Sequence, residues 1–167
     1  MKRYLMGVIT GLVLGPLVFA LLGALGRVPT NATADPPSIE AAVAGAVLKR
    51  SIARQASGLT SPVPVTEERL AAGLKLYKNM CDGCHGGPGA PSEWGTKDFY
   101  PRVPQFGSHK IPYTETEIFY IVKKGIRYTG MGAVTADVAD DDVWKIAAFL
   151  SRLDSLPKDV EAKWKEK

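Results

Sequence analysis

Apolar residues fall along this chain in two regimes, one continuous and one periodic. After Lys2-Arg3, the 23 residues from Tyr4 to Gly26 carry no charge, and Arg27 closes the run. As a helix such a run spans roughly 35 Å, enough for a hydrocarbon core of roughly 30 Å. Two fates are open to it. As a retained anchor, its positive pair stays cytoplasmic and everything beyond Arg27 is exported. As a signal peptide, it is cut after Ala32-Thr33-Ala34, whose small residues suit a signal peptidase. The run is longer than a normal signal core and the cut lies several residues beyond it, which favours the anchor. Gly7, Gly11 and Gly15 share one helix face, but glycine is common in membrane helices and needs no packing role here.

Beyond the run the apolar positions become periodic. Asp35-Pro36-Pro37 breaks the first helix, and Ser38 is placed to cap a second, amphipathic one. Its apolar residues are Ile39, Val43, Val47 and Ile52, and it ends near Ser57-Gly58. Its apolar face is narrow and alanine-rich, so it reads as a spacer more than as a docked element. Ser61-Pro62-Val63-Pro64-Val65 is a stiff, extended linker. Thr66 caps a helix running to Met80, with Glu67 and Glu68 in its first turn and Leu70, Gly73, Leu74, Tyr77 and Cys81 on its inner face. The stretch from Gly86 to Tyr113 is dense in glycine and proline and holds no long regular element. Thr114 and Glu117 form a capping box for a helix through Ile118, Ile121 and Val122, closed by Gly125. A second loop covers 126–139. Asp140, Asp141 and Asp142 then open a last helix, from Val143 to about Leu153. No strand-period alternation and no repeat is present. The expectation is an all-α fold of few helices and long loops, divided into 1–27 (anchor or signal), 28–65 (amphipathic helix and linker), 66–157 (compact domain) and 158–167 (charged tail).

Charge changes this picture little. The formal net charge is +4, but Lys2, Arg3 and Arg27 flank the leader, so residues 35–167 carry 18 basic and 17 acidic side chains. A nearly neutral domain with no clustered basic face argues against a nucleic-acid partner. Its length suits one compact domain.

The chemistry is concentrated in Cys81-Asp82-Gly83-Cys84-His85, which contains both cysteines of the chain. Two thiols three residues apart, followed at once by an imidazole, are the signature of c-type haem attachment. The thiols add to the two vinyl groups, and the histidine ligates the iron. A thioredoxin-like or zinc reading lacks, respectively, a βαβ pattern and a second ligand pair. Long loops inside a small domain call for something non-protein to wrap, and a haem is such a plate. Electron transfer favours an iron with both axial positions filled. Met1 and Met6 lie in the leader and Met80 abuts Cys81, which leaves Met131, between Gly130 and Gly132, ahead of His109 as sixth ligand.

Four blocks resemble a known family. They are Ala72-Gly73-Leu74-Lys75-Leu76-Tyr77 leading into Cys81-Asp82-Gly83-Cys84-His85-Gly86; Tyr100-Pro101-Arg102-Val103-Pro104-Gln105-Phe106; Tyr120 to Met131; and Asp141-Asp142-Val143-Trp144-Lys145-Ile146-Ala147-Ala148-Phe149-Leu150. Over roughly residues 62–156 the chain resembles the class I c-type cytochromes, in particular a membrane-anchored, single-haem group. The resemblance implies one covalent haem c with His85 proximal and Met131 distal, and a proline carbonyl as partner of the His85 imidazole. Pro101 and Pro104 are the two candidates for that carbonyl, with Pro104 carried as the site residue. It also implies that the first and last domain helices cross near a right angle, with Gly73 permitting close approach and Tyr77 and Trp144 or Phe149 filling the sides. The implied function is that of an electron carrier and not an enzyme. It would serve unnamed redox partner proteins at the outer, periplasmic face of a bacterial inner membrane. Lys97, Arg102, Lys110, Lys123, Lys124 and Arg127 would then steer an acidic partner. The residues after Met131, Gly132-Ala133-Val134, depart from the aromatic or proline usual there. They motivate the alternative of a haem enzyme or gas-binding sensor with a labile sixth ligand.

Overall fold

The computed structural model describes residues 1–62, 64–134 and 137–166 and forms two units, Met1–Asn31 and Ala32–Lys167. Val63 of the expected linker and Thr135 and Ala136 of the second loop lie outside the described residues.

The first unit is the helix α1 (Lys2–Ala24), with Pro16 inside it. Its 23 residues have a mean hydropathy of 2.4 in their most apolar window, and none is buried. Length and composition fit a membrane anchor.

The second unit holds α2 (Ser38–Ala56), α3 (Glu67–Met80), α4 (Asp82–His85), α5 (Glu93–Lys97), α6 (Glu115–Lys124), α7 (Asp140–Leu150) and α8 (Lys158–Lys165). No β-strand forms among the described residues. The all-α arrangement of few helices and long loops expected from the pattern is present among the described residues. Thr66 caps α3 through its side chain, which accepts from the Arg69 N–H at 3.2 Å. The capping box at the start of α6 is complete, and Gly125 ends the helix at φ 69°, a left-handed conformation open to glycine without a Cβ penalty. Ser38 opens α2 but donates no cap; Pro37 occupies the cap position.

The core sits where α7 packs between α3 and α6. Val143, Ile146, Ala147, Ala148 and Phe149 of α7 have no exposed surface. At Gly73 the backbones of α3 and α7 meet: a Cβ there would lie 2.1 Å from the Lys145 carbonyl oxygen and 2.9 Å from the Phe149 Cβ. Only hydrogen fits. Phe119 of α6 stacks on Trp144 with ring centres 3.9 Å apart, so Trp144 serves the α6–α7 contact while Phe149 meets Tyr77 at 5.8 Å. At the N-termini of α3 and α7, Asp141 accepts from Arg69 at 3.0 Å and pairs with Lys145 at 2.8 Å. Lys145 and Arg69 together hold the Asp141 carboxyl below its ordinary pKa. The stabilisation this represents is present at neutral pH and lost as the pH falls through the carboxylate range.

Two expectations are corrected. The segment expected as a charged tail is largely the helix α8, whose Val160 and Trp164 are buried. Trp164 meets Tyr77 edge-on at 5.3 Å and Phe149 at 5.4 Å, closing a three-ring cluster. The i, i+4 spacing of Val160 and Trp164 drives this, since two large apolar groups on one face outweigh the charges around them. The segment expected as a spacer is fastened to the domain. Ile52 and Ala56 of α2 are 3% exposed, and the Tyr120 hydroxyl donates to Gln55 Oε1 at 2.6 Å. Farther along, the Tyr100 hydroxyl donates to Glu40, and Arg102 donates to the carbonyls of Ala32 and Thr33 at 2.8 and 2.6 Å.

Trp164→Ala should therefore cost about 3–5 kcal/mol, the usual loss for a buried tryptophan. Urea unfolding of the full chain measures it; a loss no larger than that of an exposed site would contradict the packing of α8.

Candidate functional site

The site begins where α3 ends. Cys81 is the C-cap of α3 and the N-cap of α4, so the attachment turn continues the helix directly. The His85 and Cys84 N–H groups both donate to the Cys81 carbonyl, at 2.9 and 3.1 Å, which brings Cys81, Cys84 and His85 onto one tight turn. Gly86 breaks the turn at φ 61°. Its carbonyl accepts from the Tyr77 hydroxyl at 2.5 Å, tying the exit of the turn to the core. Burial pushes the Tyr77 hydroxyl well above its ordinary pKa, so it stays a donor.

Cys81 and Cys84 are free thiols, each partly buried. Burial first, then the neighbouring Cys84 and Asp82, push the Cys81 thiol up to about 12. The His85 Nδ1 lies 2.9 Å from the Pro104 carbonyl oxygen. A carbonyl can only accept, so Nδ1 carries the proton and Nε2 presents a lone pair. Burial lowers the His85 pKa, while the bond to Pro104 opposes the shift. The ring also stacks on Phe106, with centres 4.3 Å apart and planes 8° from parallel. Of the two candidate prolines, Pro104 is the one whose carbonyl meets His85; Pro101 follows a cis peptide bond and is exposed.

Pro104 is held in place by its neighbour. The buried Gln105 side chain accepts from the Ser92 N–H at 2.8 Å and donates to the carbonyls of Cys84 and Val103 at 3.1 and 3.0 Å. Ser92 in turn donates to the Gly83 carbonyl at 2.7 Å and caps α5. The Phe106 N–H donates to the His85 carbonyl at 3.0 Å. Loop 86–113 is thus sewn to the attachment turn through backbone groups. Ser92 carries no motif signal in the sequence, and Gln105 and Phe106 enter it only as the end of the Tyr100–Phe106 block. The one hint is a glutamine set between Pro104 and Phe106 in a conspicuous block.

Met131 lies on the other loop and is half-buried against the same core cluster as Cys81 and Phe106. Its N–H donates to Thr129 Oγ1 at 3.0 Å and its carbonyl accepts from the Ile126 N–H at 2.8 Å, so its backbone is fixed. Gly130 lies beneath Phe99: a Cβ at residue 130 would come within 2.3 Å of that ring. His109 is exposed, and its Nδ1 is engaged 3.1 Å from the Gln105 carbonyl.

These residues fit a haem. Two free thiols and an imidazole with Nδ1 anchored and Nε2 available supply attachment points and a ligand, and both loops carry half-buried apolar groups packed on the core (Phe106, Ile111, Tyr113, Met131, Val134). Of the six basic residues between 97 and 127, Arg102 pairs with Asp35, Lys110 with Asp154 and Lys123 with Asp140. Lys97, Lys124 and Arg127 are exposed with no ion pair among the described residues.

Residues 68–150, from the first turn of α3 to the end of α7, match the family model described as cytochrome c oxidase, cbb3-type, subunit III. No curated protein and no solved structure matches the chain.

Gln105→Ala should destabilise the holoprotein by about 1–3 kcal/mol, because it strands a buried N–H and two carbonyls. Equilibrium urea unfolding checks this, and a neutral result would mean that the loop is not held through Gln105.

Proposed function

The chain belongs to the c-type cytochromes, and from that premise we propose that it is a single-haem electron carrier held at the outer face of a membrane by α1. One haem c would be attached through Cys81 and Cys84, with His85 and Met131 as its protein ligands. The observation that carries this reading is the His85 imidazole, placed directly after the two thiols with Nδ1 bonded to the Pro104 carbonyl and Nε2 left to ligate. When bound, the haem supplies a one-electron iron couple.

The residues around it have separable roles. Pro104 fixes the ring orientation of His85 and raises its basicity. Phe106 holds the same ring from its face. Met131, on a backbone pinned by Thr129 and Ile126, would supply the second protein ligand to the iron and so leave no site for dioxygen or peroxide. Thioether ligation in place of a second imidazole raises the reduction potential. Ile111, Tyr113 and Val134 would form an apolar wall against water. Partners are other redox proteins. The steering surface is smaller than six cations, because Arg102, Lys110 and Lys123 are neutralised within the domain; Lys97, Lys124 and Arg127 remain to meet an acidic partner.

Met131→Ala should abolish the sulfur-to-iron charge-transfer band and lower the potential, while haem still stains with the chain on a denaturing gel. Cys81→Ser/Cys84→Ser should remove that stain. An unchanged band in Met131→Ala would rule out Met131 as ligand.

Electron transfer to the partner should slow as ionic strength rises, and Lys124→Glu/Arg127→Glu should flatten that dependence. A salt-independent rate in the unmutated protein would eliminate electrostatic steering by these residues.

A further inference from the structure

Helix α2 has two unlike faces. At 3.6 residues per turn, Ile52, Gln55 and Ala56 share the side turned to the domain, where Gln55 meets Tyr120 and Ile52 and Ala56 are buried, while Glu40 sits at the margin and meets Tyr100. On the opposite side, Ile39, Val43, Val47, Arg50 and Arg54 fall within an arc of roughly 80°. Ile39, Val43 and Val47 are 74%, 59% and 62% exposed, and the two arginines are exposed with no ion pair among the described residues. The only acidic residue of α2, Glu40, lies roughly 20° beyond Val47 at the edge of this arc, where the Tyr100 hydroxyl donates to it. The outward face therefore combines an apolar ridge with a surplus of positive charge.

The length of free chain before α2 is short. The first contacts of the second unit with its own loop are made by Ala32, Thr33 and Asp35, all to Arg102. Only residues 25–31 separate them from the end of α1, and seven residues reach at most roughly 25 Å. A tether of that length leaves the start of α2 within reach of the bilayer surface if α1 spans it.

We propose that the outward face of α2 lies on the surface of the membrane, with Ile39, Val43 and Val47 at the acyl boundary and Arg50 and Arg54 at anionic lipid phosphates. The juxtaposition is that of an interfacial amphipathic helix, apolar and basic at the same face, with two arginines against one acid at its margin that is engaged by Tyr100. A helix whose other face is locked to α6 transmits this contact to the whole domain, which is then held at a defined orientation on the bilayer and exchanges electrons with membrane-resident partners. The inference rests on α1 being a retained anchor.

The test uses the full-length holoprotein in nanodiscs of phosphatidylcholine, with and without phosphatidylglycerol. Single spin labels are placed at Ile39→Cys, Val43→Cys and Val47→Cys, with Lys75→Cys on the exposed side of α3 as reference. The unmutated chain, treated identically, sets the background from Cys81 and Cys84. Power saturation compares oxygen, which partitions into lipid, with a water-soluble nickel chelate. The three α2 labels should favour oxygen and the reference label the chelate, the preference being stronger with anionic lipid and reduced by Arg50→Glu/Arg54→Glu. Chelate-accessible α2 labels on a chain that stays with the discs overturn the placement and leave the anchor standing. A chain that leaves the discs overturns both. Labels shielded from the chelate to the same extent in detergent solution point to a second protein surface, and overturn the lipid contact.

Discussion

The contact on which the site depends is the backbone approach of α3 to α7 at Gly73. The attachment turn has no foundation of its own; it is the continuation of α3 past Cys81, so wherever α7 holds α3, it holds Cys81, Cys84 and His85 as well. Tyr77, one turn before Cys81, reinforces the arrangement from both ends of its side chain, its ring among Phe106, Phe149 and Trp164 and its hydroxyl on the Gly86 carbonyl. The rings and the hydrogen bond work in the same direction. Sliding α3 along α7 would break the bond and open the ring cluster together.

The two loops are fixed by a different kind of interaction. Loop 86–113 packs Phe106, Ile111 and Tyr113 on the core and is otherwise ordered through polar groups, with Gln105 and Ser92 standing where a longer element would have supplied backbone partners. Such bonds contribute little each when made and cost more when stranded, which makes the loop specific in shape without making it strongly stable. The Met131 loop closes over the end of α6 instead: the Val134 N–H donates to the Val122 carbonyl at 3.1 Å, and a Cβ on Gly125 would crowd Ala133 and Met131. Each side of the site thus hangs from a different helix, α3 for the attachment side and α6 for the methionine side, with α7 between them.

Much of this was legible in the sequence because it is local. The capping box at Thr114, the cap at Thr66 and the thiol–imidazole turn each follow from residues within a few positions of one another, while the close approach at Gly73 came with the family resemblance. What escaped is non-local or carries a mixed signal. Trp164 lies among lysines and glutamates, and its burial depends on Tyr77 and Phe149 being displayed by helices far away in sequence. The apolar positions of α2 drift around the helix, so Ile52 docks while Ile39, Val43 and Val47 face away; a one-sided reading merges them into a single narrow stripe. Pro101 and Pro104 are indistinguishable by type, and only the path of the loop decides which carbonyl reaches His85. The basic residues between 97 and 127 looked like one patch because their acidic partners, Asp35, Asp140 and Asp154, lie outside that window.

The identity of the group that orients His85 has a consequence for how robust the site is. A carboxylate in that position would place a full negative charge beside the imidazole and would itself exchange protons in acid. The Pro104 oxygen belongs to a peptide bond: it has a dipole but no charge to gain or lose, and replacing the side chain at 104 would not delete it. The orientation of the ring is therefore written into the course of the main chain, where neither acidity nor a point substitution at the acceptor can erase it directly. It can be lost only by moving the loop.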